Sequence, residues 1–195
     1  MSKPTTYTQL VRATSALMRR KGYAGVGLTE ILTEAKLPKG SLYYHFPGGK
    51  PELAAAATLW AGDMVMSVID RCFSSADSFA DGAAAICREV AEHAIRQGRV
   101  SACPVMAILP AAIEEPLLRD AARHVYSEWT SCAARHAARF GVPDPETVAL
   151  DLHMRLQGAW VLAFADQSEQ PLLALARSFR PGLTWPDIET PADPG

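Results

Sequence analysis

The chain has 195 residues, 49% of them hydrophobic and 21% charged, which is the balance of an ordinary globular protein and excludes an extended disordered one. It holds no run of about 18 consecutive apolar residues and no apolar segment behind a basic start, so neither membrane spanning nor secretion is expected, and the expected location is cytoplasmic. The net charge of -2 hides a split: residues 1–50 carry eight Lys and Arg against two Glu, a net +6, and the remainder eleven against nineteen, a net −8.

In chain order, Tyr7, Leu10, Val11, Thr14, Leu17 and Met18 keep helical spacing, with Arg12, Arg19 and Arg20 off that stripe and Gly22 and Gly25 closing the helix. Leu28, Ile31, Leu32 and Ala35 then recur at i, i+3, i+4 and i+7, the one-sided stripe of a helix of about two turns. Lys36, Leu37 and Pro38 break the pattern, and Leu42 and Phe46 mark a third, shorter helix. Two short helices joined this tightly form a helix-turn-helix, whose second member can lie in a DNA major groove.

The outside of that second helix carries the chemistry for it. With Leu42 and Phe46 turned inward, Lys39, Gly40, Ser41, Tyr43, Tyr44 and His45 remain for the other faces. Glycine permits close backbone approach, hydroxyls donate to phosphate or base edges, and lysine supplies charge. Lys50 precedes Pro51 at the start of the next helix, where backbone N–H groups and the helix dipole favour one more phosphate. A basic head on an acidic body is the electrostatic footprint of a protein that touches the polyanion with one region.

From Glu52 onward the chain reads as helical and shows no convincing strand alternation. Leu53, Ala57, Trp60 and Met64 mark a long helix ending near Phe73, and Phe79, Ala83, Ile86, Val90 and Ala94 mark another that stops near Gly98. A short helix is expected after Pro104, interrupted at Pro110. Leu118, Ala121, Val125, Trp129, Cys132 and His136 define a long helix closed by Gly141. Asp144-Pro145 caps and opens a helix through Leu152, Leu156, Trp160 and Phe164, and a last helix runs from about Pro171 to before Pro181. The fold class is therefore all-α. The division expected is a helix-turn-helix domain over 1–47, a helical body over 48–183 for ligand binding and dimerisation, and a flexible Pro-rich tail over 184–195.

The segment carrying Ile31, Ala35, PKGSLYYHF from Pro38 to Phe46, and Lys50, Glu52 and Leu53 resembles the DNA-binding domain of TetR-family transcriptional regulators, and the wording PKGSLYYHFPGGK is most similar to the branch of LmrA/YxaF-type repressors. Two positions depart from the broader pattern: Lys36 stands where the family usually has a turn glycine, and Gly48-Gly49 lengthens the corner before Lys50 by one residue. The resemblance implies a homodimeric repressor that binds a palindromic double-stranded operator and leaves it when a small planar, aromatic or flavonoid-like inducer enters the body. It implies DNA contacts from Thr29, Pro38, Lys39, Gly40, Ser41, Tyr43, Tyr44, His45 and Lys50, and a dimer interface from the last two helices, where Leu150, Leu172, Leu173, Leu175 and Phe179 exceed the needs of one core stripe.

Trp60, Met64, Met106, Trp129, His153, Gln157, Trp160 and Phe164, with Cys103, are the candidate ligand-binding residues: large adaptable side chains with a few polar tips suit a pocket that orients a planar ligand. The same stripes, at helical spacing, equally describe an ordinary core. The four cysteines show no C-x-x-C spacing and no His paired at zinc-site intervals, so neither metal nor cofactor is expected. Cys103, beside Pro104 at an expected helix start where amides can lower a thiol pKa, carries the alternative reading of a thiol-responsive regulator. Catalysis is not expected: Asp151 and His153 are two residues apart and diverge on a helix, and there is no G-x-S-x-G or phosphate loop.

Overall fold

Three short helices make the amino-terminal head of the computed structural model, which describes residues 4–96 and 98–179. Helix α1 (Thr6–Lys21) starts where the Thr5 hydroxyl accepts from the Thr8 N–H and stops at Gly22, which has φ 71°. Its stripe of Leu10, Val11, Leu17 and Met18 is buried, as the spacing requires. Helix α2 (Leu28–Ala35) packs Ile31 into the same core and is tied to α1 by a surface ion pair between Lys21 and Glu30. Helix α3 (Lys39–His45) follows after three residues, with Pro38 at its N-cap, one position earlier than a first-turn proline.

The turn between α2 and α3 accounts for the Lys36 departure. Lys36 adopts the left-handed conformation (φ 56°, ψ 44°) that a glycine would take, its N–H donates to the Thr33 carbonyl, and the Leu37 N–H reaches back to the Leu32 carbonyl at 3.0 Å. This is the Schellman closure of a helix end, with Leu32 and Leu37 both packed against the core. The turn geometry is thus kept with a residue whose Cβ is disfavoured there. Lys36→Gly is expected to raise stability by about 0.5–1 kcal/mol, read as a higher urea midpoint at unchanged slope. A lower midpoint would mean that the lysine side chain makes a compensating contact.

Helix α4 (Lys50–Ser74) is the spine of the molecule. By length and composition it is apolar enough to cross a membrane, yet it is packed on several sides, against α1, α5 (Phe79–Arg96) and α6 (Pro116–Arg139). Apolar all round reads here as a central core helix. Helix α7 (Pro145–Asp166) pairs with α6, and α8 (Gln170–Ser178) lies against α5 and α7. Asp144 caps α7 by accepting from the Thr147 N–H. One apolar core runs from Leu10 and Phe46 in the head through Leu53 and Phe73 to Leu156 and Leu172. Among the described residues there is no strand, as the sequence implies.

Two expectations are corrected. No helix follows Pro104: residues 104–110 form successive turns, leading to a short 3-10 turn at Ala111–Ile113. Two carbonyls between residues 102 and 107 meet the head, Ala107 accepting from the Tyr23 N–H just past α1 at 3.0 Å and Ala102 accepting from the Arg19 guanidinium on α1 at 3.0 Å, so this stretch serves as a strap between body and head. Met64, expected deep in the body, is 49% exposed, and Trp60 is only half-buried at the core margin. The α4 stripe that is buried runs instead through Leu53, Ala54, Ala57, Ala61 and Ile69. The tail over 184–195 lies outside the described residues.

Candidate nucleic-acid interface and body cluster

The head presents one continuous polar surface on α3. Leu42 and Phe46 are 1–2% exposed, and Phe46 stacks on Tyr7 with centroids 5.1 Å apart, which fixes the helix against the head core. The remaining residues point outward: Tyr44 is 82% exposed, Tyr43 is 49% exposed, Pro38, Lys39 and Gly40 are exposed, and Ser41 and His45 are half-buried. His45 is held by aromatic edges, with Tyr44 at 4.9 Å and Tyr7 at 6.2 Å. Thr29 is exposed near the start of α2, its carbonyl accepting from the Thr33 hydroxyl.

The corner before α4 uses its two glycines differently. Gly49 has φ 72° and ψ −139°, a backbone region closed to other residues, and forms the N-cap of α4. Gly48 donates its N–H to the Glu52 carboxylate at 2.7 Å, so Glu52 occupies part of the helix N-terminus that the sequence offers to a phosphate. The Lys50 ammonium lies 4.3 Å from the centroid of the Tyr23 ring, and burial lowers its pKa. Its charge is therefore shared between any phosphate and an aromatic face.

In the body, the structure gathers some of the candidate ligand residues and separates others. His153 sits between α6 and α7, its Nδ1 2.6 Å from the Thr130 hydroxyl and its Nε2 3.4 Å from the Gln157 amide, with the Tyr126 ring edge-on at 4.9 Å. Burial lowers the His153 pKa, so the ring is neutral at physiological pH. Tyr126 reaches Gln157 at 3.5 Å and also hydrogen-bonds the Cys103 thiol. Tyr126 and Thr130 are members that sequence spacing missed. Their signal was a polar pair one turn apart on α6, on the flank of the stripe that holds Trp129.

Trp129 and Trp160 have structural partners: their indole N–H groups donate to the carbonyls of Gly62 at 3.0 Å and Ser101 at 2.9 Å, and both rings are buried. Met106 is half-buried beside the core. Phe164 is 37% exposed and, like Met64, lies on the outside, which corrects its placement in the interior. Cys103 is fully buried. Amides of Val105 and Met106 favour its thiolate, as a helix start would, but burial outweighs them and pushes the thiol pKa up. A reactive thiolate at neutral pH is not what this environment makes.

The outer face of α7 leaves an apolar row exposed among the described residues. Leu150, Met154, Val161 and Leu162 are each about half exposed, while Leu152, Leu156, Ala159 and Ala163 fill the core on the opposite side. Of the residues the sequence assigns to an interface, Leu150 is on this face, Leu172 is fully buried within the chain, and Leu173, Leu175 and Phe179 pack partly against its own core.

Comparison with known proteins agrees with this architecture. Residues 10–57 match the bacterial regulatory proteins of the tetR family, and residues 80–178 match the C-terminal domain described as transcriptional regulator LmrA/YxaF-like. The chain is 27% identical over 179 residues to the HTH-type transcriptional regulator LmrA of Bacillus subtilis, covering 90% of this chain and 95% of that one. Among solved structures, a regulatory protein TetR from Rhodobacter sphaeroides superposes with a TM-score of 0.77 at 26% identity, covering 88% of this chain and 95% of the other. A cysteine mutant of the TetR family regulator CifR, solved with 26 base pairs of double-strand operator DNA, superposes with a TM-score of 0.76 at 23% identity, covering 91% and 97%.

Proposed function

Because the chain belongs to the TetR family of transcriptional regulators, with a C-terminal domain of the LmrA/YxaF-like kind, we propose that it is a dimeric repressor released from a palindromic operator by a small planar, aromatic inducer. Membership itself makes it a DNA-binding regulator and not an enzyme. The observation that carries the DNA-reading role is the outer face of α3, where Lys39, Tyr43 and Tyr44 stand free of the core that Leu42 and Phe46 anchor. CifR, of the same fold, holds operator DNA.

In this reading Lys39, Gly40, Ser41 and Tyr44 lie nearest base edges, and Thr29, Pro38, Tyr43, His45 and Lys50 hold the backbone. Two heads set about 34 Å apart by a two-fold dimer read the two half-sites. The inducer enters beside Trp60, Met106, His153 and Gln157. The neutral imidazole and the amide supply the polar contacts that orient it. Occupation shifts α6 against α4, and α4, which packs on α1 of the head, moves the heads off the half-site spacing.

The experiment is the salt dependence of binding to a labelled operator fragment, taken from DNA next to the protein's own gene. Each lost phosphate contact lowers the slope of log K against log salt by about 0.9, and a dimer loses two, so Lys50→Ala is expected to lower it by about 1.8, while Lys39→Ala, at a base edge, is expected to weaken operator binding by about 1–3 kcal/mol and binding to unrelated DNA by less. Lys50→Ala also removes the Tyr23 contact, at about 0.5–1 kcal/mol of stability. A slope unchanged in Lys50→Ala means that its charge serves Tyr23 alone. An unchanged slope in Lys50→Ala together with unchanged operator affinity in Lys39→Ala would remove this face from the DNA interface.

A further inference from the structure

Near the far end of α4, about 30 Å along the helix from Lys50, a cluster of three different donor types faces the gap between α4 and α6. Asp70 Oδ1 lies 2.9 Å from His136 Nε2, and the ligand atoms of Asp70, Cys132 and His136 all lie within 4.8 Å of one another. We propose that these three side chains form a binding site for a borderline divalent cation of the Zn2+ kind.

The donor set is the first argument. Carboxylate oxygen, imidazole nitrogen and thiolate sulfur are the three ligands zinc takes in proteins, at about 2.0–2.3 Å each. A tetrahedral ion needs neighbouring donors about 3.3–3.7 Å apart, so the cluster closes on the ion by shifts of roughly an ångström. Hard cations prefer all-oxygen sites, and the sulfur selects against them. With one thiolate, one carboxylate and a neutral imidazole, the site balances the charge of the dication. Binding releases the Cys132 thiol proton to solvent.

The second argument is the support around the donors. Cys132 and His136 are one turn apart on α6 and both buried, and on α4 Asp70 lies one turn before the fully buried Phe73. The Phe73 ring stacks on the His136 imidazole, centroids 5.1 Å apart and planes 20° apart, and the Phe73 carbonyl accepts from Arg139 at 2.6 Å. The imidazole plane is therefore set before any ion arrives, as a metal ligand's should be. The Asp70 side chain is mostly exposed, which gives the ion an entry path and leaves its fourth position to water. An ion pair between His136 and Asp70 alone would not need a buried thiol in the same gap. Arg135, itself exposed, reaches the Cys132 sulfur and must swing aside on binding.

The test uses the full-length protein, reduced and freed of metal with a chelator, then titrated with Co2+ as an optical probe. The expected result is one ion per chain, with a sulfur-to-cobalt charge-transfer band in the near ultraviolet and visible bands of tetrahedral strength, all bleached by Zn2+. Cys132→Ser should abolish the charge-transfer band, and Cys72→Ser, outside the cluster, should keep it. Asp70→Asn changes an exposed side chain and leaves the core intact. Losing even an outer partner of a ligand costs about 10–100-fold in metal affinity, so this variant should weaken Co2+ binding at least that much. Absence of a sulfur band at millimolar Co2+, its survival in Cys132→Ser, or unchanged affinity in Asp70→Asn would each overturn the proposal.

Discussion

Met154→Arg is expected to convert the protein to a monomer and, with it, to abolish specific operator binding. Leu150, Met154, Val161 and Leu162 form a half-exposed apolar face on α7, left open among the described residues. Gly158, within the same face, has nothing beyond its own helix within 4 Å of where a Cβ would stand, which lets a second helix approach closely. A two-fold axis through this face would bring it against itself, so one substitution would place two guanidinium groups in one apolar seam. An unpaired charge buried there costs several kcal/mol, enough to raise a dimer dissociation constant by about 10³ or more. Sedimentation velocity at micromolar concentration reads the mass, and fluorescence anisotropy reads the operator. A single head retains only the weak binding of a non-specific contact, on the order of 10⁻⁴–10⁻⁶ M. Met154→Leu should behave as the parent protein. A Met154→Arg protein that stays dimeric would move the interface off α7.

The head was legible in the sequence because its rules are local. Leu42 and Phe46 at i, i+4 predict which side of α3 is inside, and burial follows that pattern residue by residue. Lys36 stands where the resembling family usually has a turn glycine, and the backbone there keeps the left-handed conformation such a glycine would take. The body resisted for the opposite reason. Helical spacing identifies a stripe but not the neighbour it meets, so Trp129 and Trp160 read equally well as pocket walls and as core. Which they are depends on the Gly62 and Ser101 carbonyls, supplied by residues 67 and 59 positions away. The strap from Ala102 to Ile108 is not legible in the sequence because its bonding is tertiary: Pro104 suggests a helix start, while carbonyls of the strap are used by Arg19 and Tyr23 of the head. The Asp70, Cys132 and His136 cluster was passed over because a search for paired cysteines does not weigh Cys132 and His136 one turn apart, and the third donor comes from another helix.

A second large effect is expected from a single methyl group. A Cβ on Gly62 of α4 would stand 2.7 and 2.8 Å from the two Cγ atoms of Val125 on α6, closer than such atoms come in real structures. The Gly62 carbonyl also accepts the Trp129 indole, so the crossing of α4 and α6 is fixed by an absent side chain on one helix and a hydrogen bond from the other. Gly62→Ala must push the helices apart or force Val125 off its rotamer, at about 1–3 kcal/mol, or about 2–4 °C of melting temperature for each kcal/mol in a chain of this size. Val125→Ala removes the offending carbons, so the double variant should recover stability relative to the sum of the single losses, with a coupling of about 0.5–3 kcal/mol. Strict additivity would mean that the helices do not meet at this point. The same pair tests the route from body to head. Helix α4 begins at Lys50 and packs on α1 of the head, so a change in its seating on α6 should alter operator affinity in Gly62→Ala and return toward the parent value in the double variant. If stability recovers and operator affinity does not change in either protein, the α4–α6 crossing is a structural joint only, and the body couples to the head, if at all, through the strap that Arg19 and Tyr23 hold.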